Sequence, residues 1–177
     1  MGFDYAHAYE HELEQRDRLR SAATTPIWVL TLLGTVAAYA VLQFQYGNDI
    51  WTWLFAVPLA IGLVSLGMSV YFLIRALHGH TYKALEKPSV IRKYQKALLD
   101  WHTQYGSGAD GAEEEFEDYI EEVCAEAADV NATLNQIRSE YYFRCYRMII
   151  SALVFIALAV IPFVVQEIAT QGNPCGA

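Results

Sequence analysis

Positive charge is scarce in this chain, with twelve lysines and arginines against twenty aspartates and glutamates and a formal net charge of −8. The acidic excess, concentrated between Glu113 and Glu126, argues against nucleic acid as a partner. Cysteine is scarce too: Cys124, Cys145 and Cys175 lack C-x-x-C spacing, and no disulfide framework is expected. No small-residue A-x-A site follows a short apolar core, so the first apolar stretch reads as an uncleaved signal anchor. The start M-G-F-D-Y-A lacks the Ser or Thr of a myristoylation signal and the terminal C-G-A is too short for prenylation, so no lipid anchor is expected. No internal repeat or long low-complexity tract is visible. Charge is missing altogether from three long stretches, residues 21–48, 50–74 and 148–166. That absence weighs against a proton-coupled transporter or voltage sensor, which need charge deep in the bilayer.

What those stretches contain is almost entirely apolar, and each is long enough to cross a hydrocarbon core that needs about 20 helical residues. The reading is an all-α membrane protein with three transmembrane helices, at 26–46, 50–74 and 148–166. All lysines and arginines fall in 16–20 or 75–147. The positive-inside rule therefore places residues 1–25 and 75–147 in the cytoplasm, the amino terminus inside, and the tail 167–177 outside, in the periplasm. Gly47, Asn48 and Asp49 predict a tight turn and hence a hairpin of the first two spans. Tyr46, Trp51 and Trp53 fit an outer aromatic belt, and Tyr71, Tyr141, Tyr142 and Tyr146 an inner one. Pro58 and Pro162 read as structural kinks in the outer halves of their spans.

The polar remainder carries a helical pattern of its own. Phe116, Ile120, Val123, Ala127, Val130, Leu134, Ile137 and Tyr141 alternate steps of four and three, the seam of an oligomer or bundle helix with a period near 3.5. Asp110 followed by Glu113 is a carboxylate variant of the capping box. Nothing interrupts the helix before the third span, so a stalk is predicted over 110–166, about 80 Å long with its acidic tip about 50 Å from the bilayer. A second helix is predicted over 89–105, with Pro88 before it, Gly106-Ser107-Gly108 ending it, and Val90, Tyr94, Ala97, Leu98 and Trp101 on one face, folding back on the stalk. Tyr5, Tyr9 and Leu13 predict an amphipathic helix in 1–25. The whole is a cytoplasmic helical bundle whose long stalk helix is continuous with the third span.

Several clusters invite a chemical reading. His7-Ala8-Tyr9-Glu10-His11 matches H-x-x-E-H, a zinc hydrolase pattern, but a third ligand is missing and exposed surface residues are the plainer reading. His78-Gly79-His80 is an incomplete ligand pair at a helix exit, with the glycine marking a bend. Thr31, Thr35, Tyr39 and Gln43 make a polar stripe in the first span, and Ser65 and Ser69 a shorter one in the second. Both suit pore lining or close helix packing, with packing favoured by the neighbouring Gly34, Ala38, Gly62 and Gly67. The acidic run lacks calcium-loop spacing and reads as a solvated face, paired with Arg92, Lys93 and Lys96. Asn131-Ala132-Thr133 matches a glycosylation sequon on the wrong side of the membrane. Cys145, beside the inner interface, is a candidate for acylation or a small packed residue. Asn131 and Asn135 flank the seam, where they would fix register or face water. No catalytic residue, metal or cofactor is assigned.

Three segments, E-L-E-Q-R-D-R-L-R-S at 12–21, Y-F-L-I-R-A-L-H-G-H-T-Y at 71–82 and A-D-V-N-A-T-L-N-Q-I-R-S-E at 128–140, resemble a family of small bacterial inner-membrane proteins without an established activity. In layout, mainly over the first hundred residues, the chain is also similar to the SLATT-type membrane effectors of bacterial phage defence. That resemblance implies a non-enzymatic, homo-oligomeric inner-membrane effector, pore-forming or membrane-disrupting, controlled through its cytoplasmic helices. Its partners would be membrane lipids, further copies of the chain, and a cytoplasmic protein or small-molecule regulator. The competing expectation is a non-conducting scaffold or assembly subunit that recruits a cytoplasmic partner. A membrane hydrolase using His7, Glu10 and His11 is the remote third class.

Overall fold

The computed structural model describes residues 5–47 and 50–171, and every regular element among them is helical: α1 (Tyr5–Ser21), α2 (Thr24–Gln43), α3 (Ile50–Leu77), α4 (Pro88–Tyr105) and α5 (Ala109–Gln171). The chain divides into two compact units, a polar one of Met1–Leu19 with His80–Ile137 and an apolar one of Arg20–Gly79 with Arg138–Ala177. The 63-residue α5 belongs to both. It starts one residue before the predicted stalk and runs on through the first part of the predicted tail, because Glu167 to Gln171 contain no helix breaker. Residues 172–177 and the Asn48-Asp49 pair of the predicted turn lie outside the described residues. α2 ends three residues before the predicted limit, where Phe44 turns extended. α3 and α5 continue through Pro58 and Pro162, each ring removing one backbone donor.

In the apolar unit the three helices bury stripes with nearly the same period. α2 contributes Pro26, Leu30, Leu33, Ala37 and Ala40, and α3 contributes Phe55, Leu59, Gly62, Ser65, Ser69, Leu73 and Ala76. α5 buries Arg138, Tyr142, Cys145, Ile149, Ala152, Ile156 and Ala159. Alternating steps of three and four keep such stripes facing one another along the helices. Small residues set how closely they approach. A Cβ on Gly62 would lie 2.9 Å from Ile156 Cγ1 and 3.3 Å from the Ile156 backbone nitrogen, so α3 and α5 meet almost backbone to backbone, and the Ser65 and Ser151 hydroxyls join at 3.2 Å beside this crossing.

Polar side chains close both ends of this bundle. At one end the Gln166 side chain accepts from the Gln45 N–H at 3.3 Å and donates to the Gln45 carbonyl at 2.9 Å, next to the stacked rings of Phe44 and Phe55. At the other end the buried Arg138 Nε donates to the Ala76 carbonyl at 3.0 Å. That carbonyl belongs to the last turn of α3, where helical donors run out and the dipole favours a cation. Arg75 lies against the Tyr141 ring and donates to its hydroxyl at 3.3 Å.

The exterior of the same unit is apolar as well. Trp28, Leu42 and Val64 are 72%, 79% and 68% exposed, and only 28% of the most apolar stretch of each helix is buried inside the chain. Soluble monomers do not carry so large a contiguous apolar surface. Three helices are long and apolar enough to cross a membrane, and their exterior over residues 24–43, 50–74 and 148–166, which carries no charge, fits lipid as its solvent.

The tight crossing makes a stability prediction. Gly62→Leu forces α3 away from Ile156 and is expected to lower stability by about 1–3 kcal/mol through overpacking. Gly67→Leu, at a position with nothing within 4 Å, serves as the control and is expected to change it by less than about 0.5 kcal/mol. Thermal or denaturant unfolding of the detergent-solubilised protein checks the contrast.

Candidate functional sites

The polar unit is organised around two asparagines one helical turn apart on α5. Asn131 and Asn135 share a face of the helix, and both side chains are buried. Asn131 reads one peptide in both directions: its Oδ1 accepts from the Lys83 N–H at 2.9 Å and its Nδ2 donates to the Lys83 carbonyl at 3.1 Å. The Asn135 Oδ1 accepts from the Tyr82 hydroxyl at 2.5 Å, while its Nδ2 donates to both the backbone carbonyl and the carboxylate of Glu12, each at 2.9 Å. A buried amide left without partners is costly, so this pair holds the non-helical strap 80–87 and helix α1 against α5. Tyr9 adds an acceptor for the Leu85 N–H, Arg16 lies over the Tyr82 ring, and Lys83 pairs with Glu126 at 2.5 Å.

Neither asparagine faces water, and the Asn131 sequon is occupied by the strap. The hint was present in the sequence: two poor helix formers four residues apart inside a long helix indicate a side-chain task. Their partners lie 48 to 123 residues away, and no spacing rule reaches that far.

This clamp also decides which side of α5 is buried. From Cys124 onward the buried stripe runs through Ala128, Asn131 and Asn135. Of the seam read from periodicity, Ala127 is buried, Phe116, Ile120, Val123, Leu134 and Tyr141 are half-buried, and Val130 and Ile137 are exposed. The outward members are free to meet another surface.

The histidines separate into different settings. His7, Glu10 and His11 are exposed on α1, His11 lies 3.6 Å from the Glu12 carboxylate, and no cluster of three or more metal-ligating side chains exists among the described residues. Gly79, at φ 88, makes the bend expected between His78 and His80. His102, unmarked by any motif, is the one that is buried, and its Nε2 contacts the Glu115 carboxylate at 2.8 Å. With the Tyr94 and Tyr119 rings 4.5 Å apart, it pins α4 antiparallel to α5.

The two polar stripes of the apolar unit point opposite ways. Ser65 and Ser69 are buried against α5, Ser69 beside Cys145, and so serve packing. Thr31, Thr35, Tyr39 and Gln43 are exposed along the outer face of α2. The Thr31 hydroxyl donates to the Ile27 carbonyl and the Thr35 hydroxyl to the Thr31 carbonyl, both at 2.9 Å, which satisfies them without another helix. Cys145 is completely buried, the setting of a small packed residue.

Between α4 and α5 lies a cleft of about 1020 Å³ with a basic wall of Arg92, Lys93 and Lys96, a floor including Phe116 and Leu99, and Glu113 on the opposite side. The three cations take part in no ion pair among the described residues. Their expected pairing with the acidic run of their own chain does not form, because α4 meets α5 through Tyr94 and His102 and turns its basic side outward.

Removing the clamp is expected to release the strap. Asn131→Leu leaves the Lys83 N–H and carbonyl without their partner, at about 1–3 kcal/mol for each orphaned group. Hydrogen exchange at Lys83 should accelerate by roughly tenfold or more, since about 1.4 kcal/mol corresponds to a factor of ten. Unchanged protection at Lys83 would show that the strap is anchored elsewhere. The chain as a whole finds no counterpart by comparison: no protein-family model, curated protein or solved structure matches it.

Proposed function

We propose that the protein is a homo-oligomeric effector of a bacterial inner membrane whose polar helices lie in the cytoplasm and whose spans rearrange to permeabilise the bilayer. The observation that carries this reading is the outward row Thr31, Thr35, Tyr39 and Gln43. The interior of the apolar unit is filled by its own side chains, so a water path requires several copies that turn α2 toward a common axis. α5 belongs to both units, and is the element through which a cytoplasmic protein or small-molecule regulator would act on the spans. The resemblance to SLATT-type effectors supplies the setting, antiviral defence. The confinement of lysine and arginine to 16–20 and 75–147 supports an amino terminus inside and a carboxyl terminus in the periplasm.

A second reading, a non-conducting scaffold that recruits a cytoplasmic partner, has its own supporting observation. The hydroxyls of Thr31 and Thr35 are bonded to their own helix, and such threonines are at ease against lipid.

One measurement separates these readings, and a second tests the topology they share. In liposomes, Thr35→Leu with Tyr39→Leu dewets a pore and is expected to cut ion flux by roughly tenfold or more, whereas unchanged flux and phenotype favour the scaffold. Reporter fusions are expected to place the two termini on opposite faces of the membrane. Both termini on one face would overturn the topology and the pore with it.

A further inference from the structure

The polar unit carries strong charges of both signs that take part in no ion pair among the described residues. On α4 these are Arg92, Lys93 and Lys96, all exposed and lining the open cleft. On α5 they are Glu117, Asp118, Glu121 and Glu122, exposed and also outside every ion pair among the described residues. Their heights along the helix pair agree. The Tyr94 ring lies on that of Tyr119, so the cations that bracket Tyr94 stand level with the turn of α5 that bears these four carboxylates. Rows of opposite sign at one height let the basic row of one copy meet the acidic row of a neighbour held parallel to it.

We propose that the α4–α5 cleft docks a second copy of this chain, the basic wall of Arg92, Lys93 and Lys96 receiving Glu117, Asp118, Glu121 and Glu122 of the neighbour. The inference rests on the membrane reading above in one respect: copies inserted the same way into one bilayer hold α5 parallel and at equal height, which puts the two walls in register. Phe116 and Leu99 on the floor give the acidic helix an apolar seat. Across such a contact, like charges are strongly disfavoured and opposite ones set the register.

The test uses the full chain, labelled with donor or acceptor dye, in liposomes of neutral lipid. A basic-wall variant combines Arg92→Glu, Lys93→Glu and Lys96→Glu; an acidic-wall variant combines Glu117→Lys, Asp118→Lys, Glu121→Lys and Glu122→Lys. Each alone is expected to weaken self-association at least tenfold while retaining its helical circular dichroism. Mixed one to one, they are expected to recover energy transfer, because each wall again meets its opposite, and the recovered signal should fall as salt is raised. Wild-type self-association in both variants, or no recovery on mixing, overturns the proposal. Sensitivity of the basic-wall variant alone also overturns it, and assigns the cleft to a different anion, such as a phosphorylated small molecule. Carbonate extraction of the same liposomes reports insertion separately. Wild-type chain that is extracted overturns the membrane reading and the parallel register. Inserted chain whose assembly ignores the charge reversals overturns only the docking.

Discussion

A helix that is apolar on every face has one solvent in which all of its side chains and all of its backbone are satisfied at once, and that solvent is lipid. α2, α3 and the later part of α5 meet this condition. Each closes its own backbone hydrogen bonds except where Pro58 and Pro162 lack a donor, and charge is absent from residues 21–48, 50–74 and 148–166. The other features of the apolar unit follow from this constraint. Burial of apolar surface cannot drive these helices together when the surroundings are equally apolar. Association therefore depends on contact quality, and the seam sets small residues, Gly62, Ser65, Ser69, Ala152 and Ala159, among larger ones such as Leu59, Ile149 and Ile156. Groups that seek water or headgroups collect where the bundle stops: Gln45 with Gln166 at one end, and Arg75, Arg138 and Tyr141 at the other.

The polar unit solves a different problem. Its exterior is polar and it has little apolar material inside, so its cohesion is assigned to a few buried polar groups. Asn131 and Asn135 supply donors and acceptors to the strap and to α1, and His102 with Glu115 supplies the contact between α4 and α5. A buried amide that binds backbone tolerates only one geometry. Cohesion of this kind is specific and vulnerable to single substitutions, whereas the apolar seam of the other unit spreads its energy over many small contacts.

Charge links local structure to the proposed assembly. Because α4 rests on α5 through aromatic rings and one histidine, Arg92, Lys93 and Lys96 are in no ion pair among the described residues, and Glu117, Asp118, Glu121 and Glu122 of α5 are equally unengaged there. An exposed pair is worth little by itself, but two matched rows confer selectivity for a partner of the right sign and height. On this proposal the two rows engage each other once several copies share a membrane.

The three apolar helices, the hairpin order, the α4 turn back onto α5 and the continuity of α5 were legible in the sequence. They depend on local quantities: stretches without charge, period, and the punctuation of Pro88, Gly106 and Gly108. Periodicity also located the neighbourhood of the α5 seam, but it could not choose between Val130 and Asn131 or between Ile137 and Arg138, one residue apart. That choice belongs to the tertiary structure, which buries Asn131 because Lys83 is there to satisfy it and buries Arg138 beside the last carbonyls of α3. The outward direction of the Thr31 to Gln43 row and the inward direction of Ser65 and Ser69 were settled in the same way. Composition along a chain determines which solvent a helix requires, whereas the face it hides is determined by partners distant in sequence, whose groups it must match in shape and hydrogen bonding.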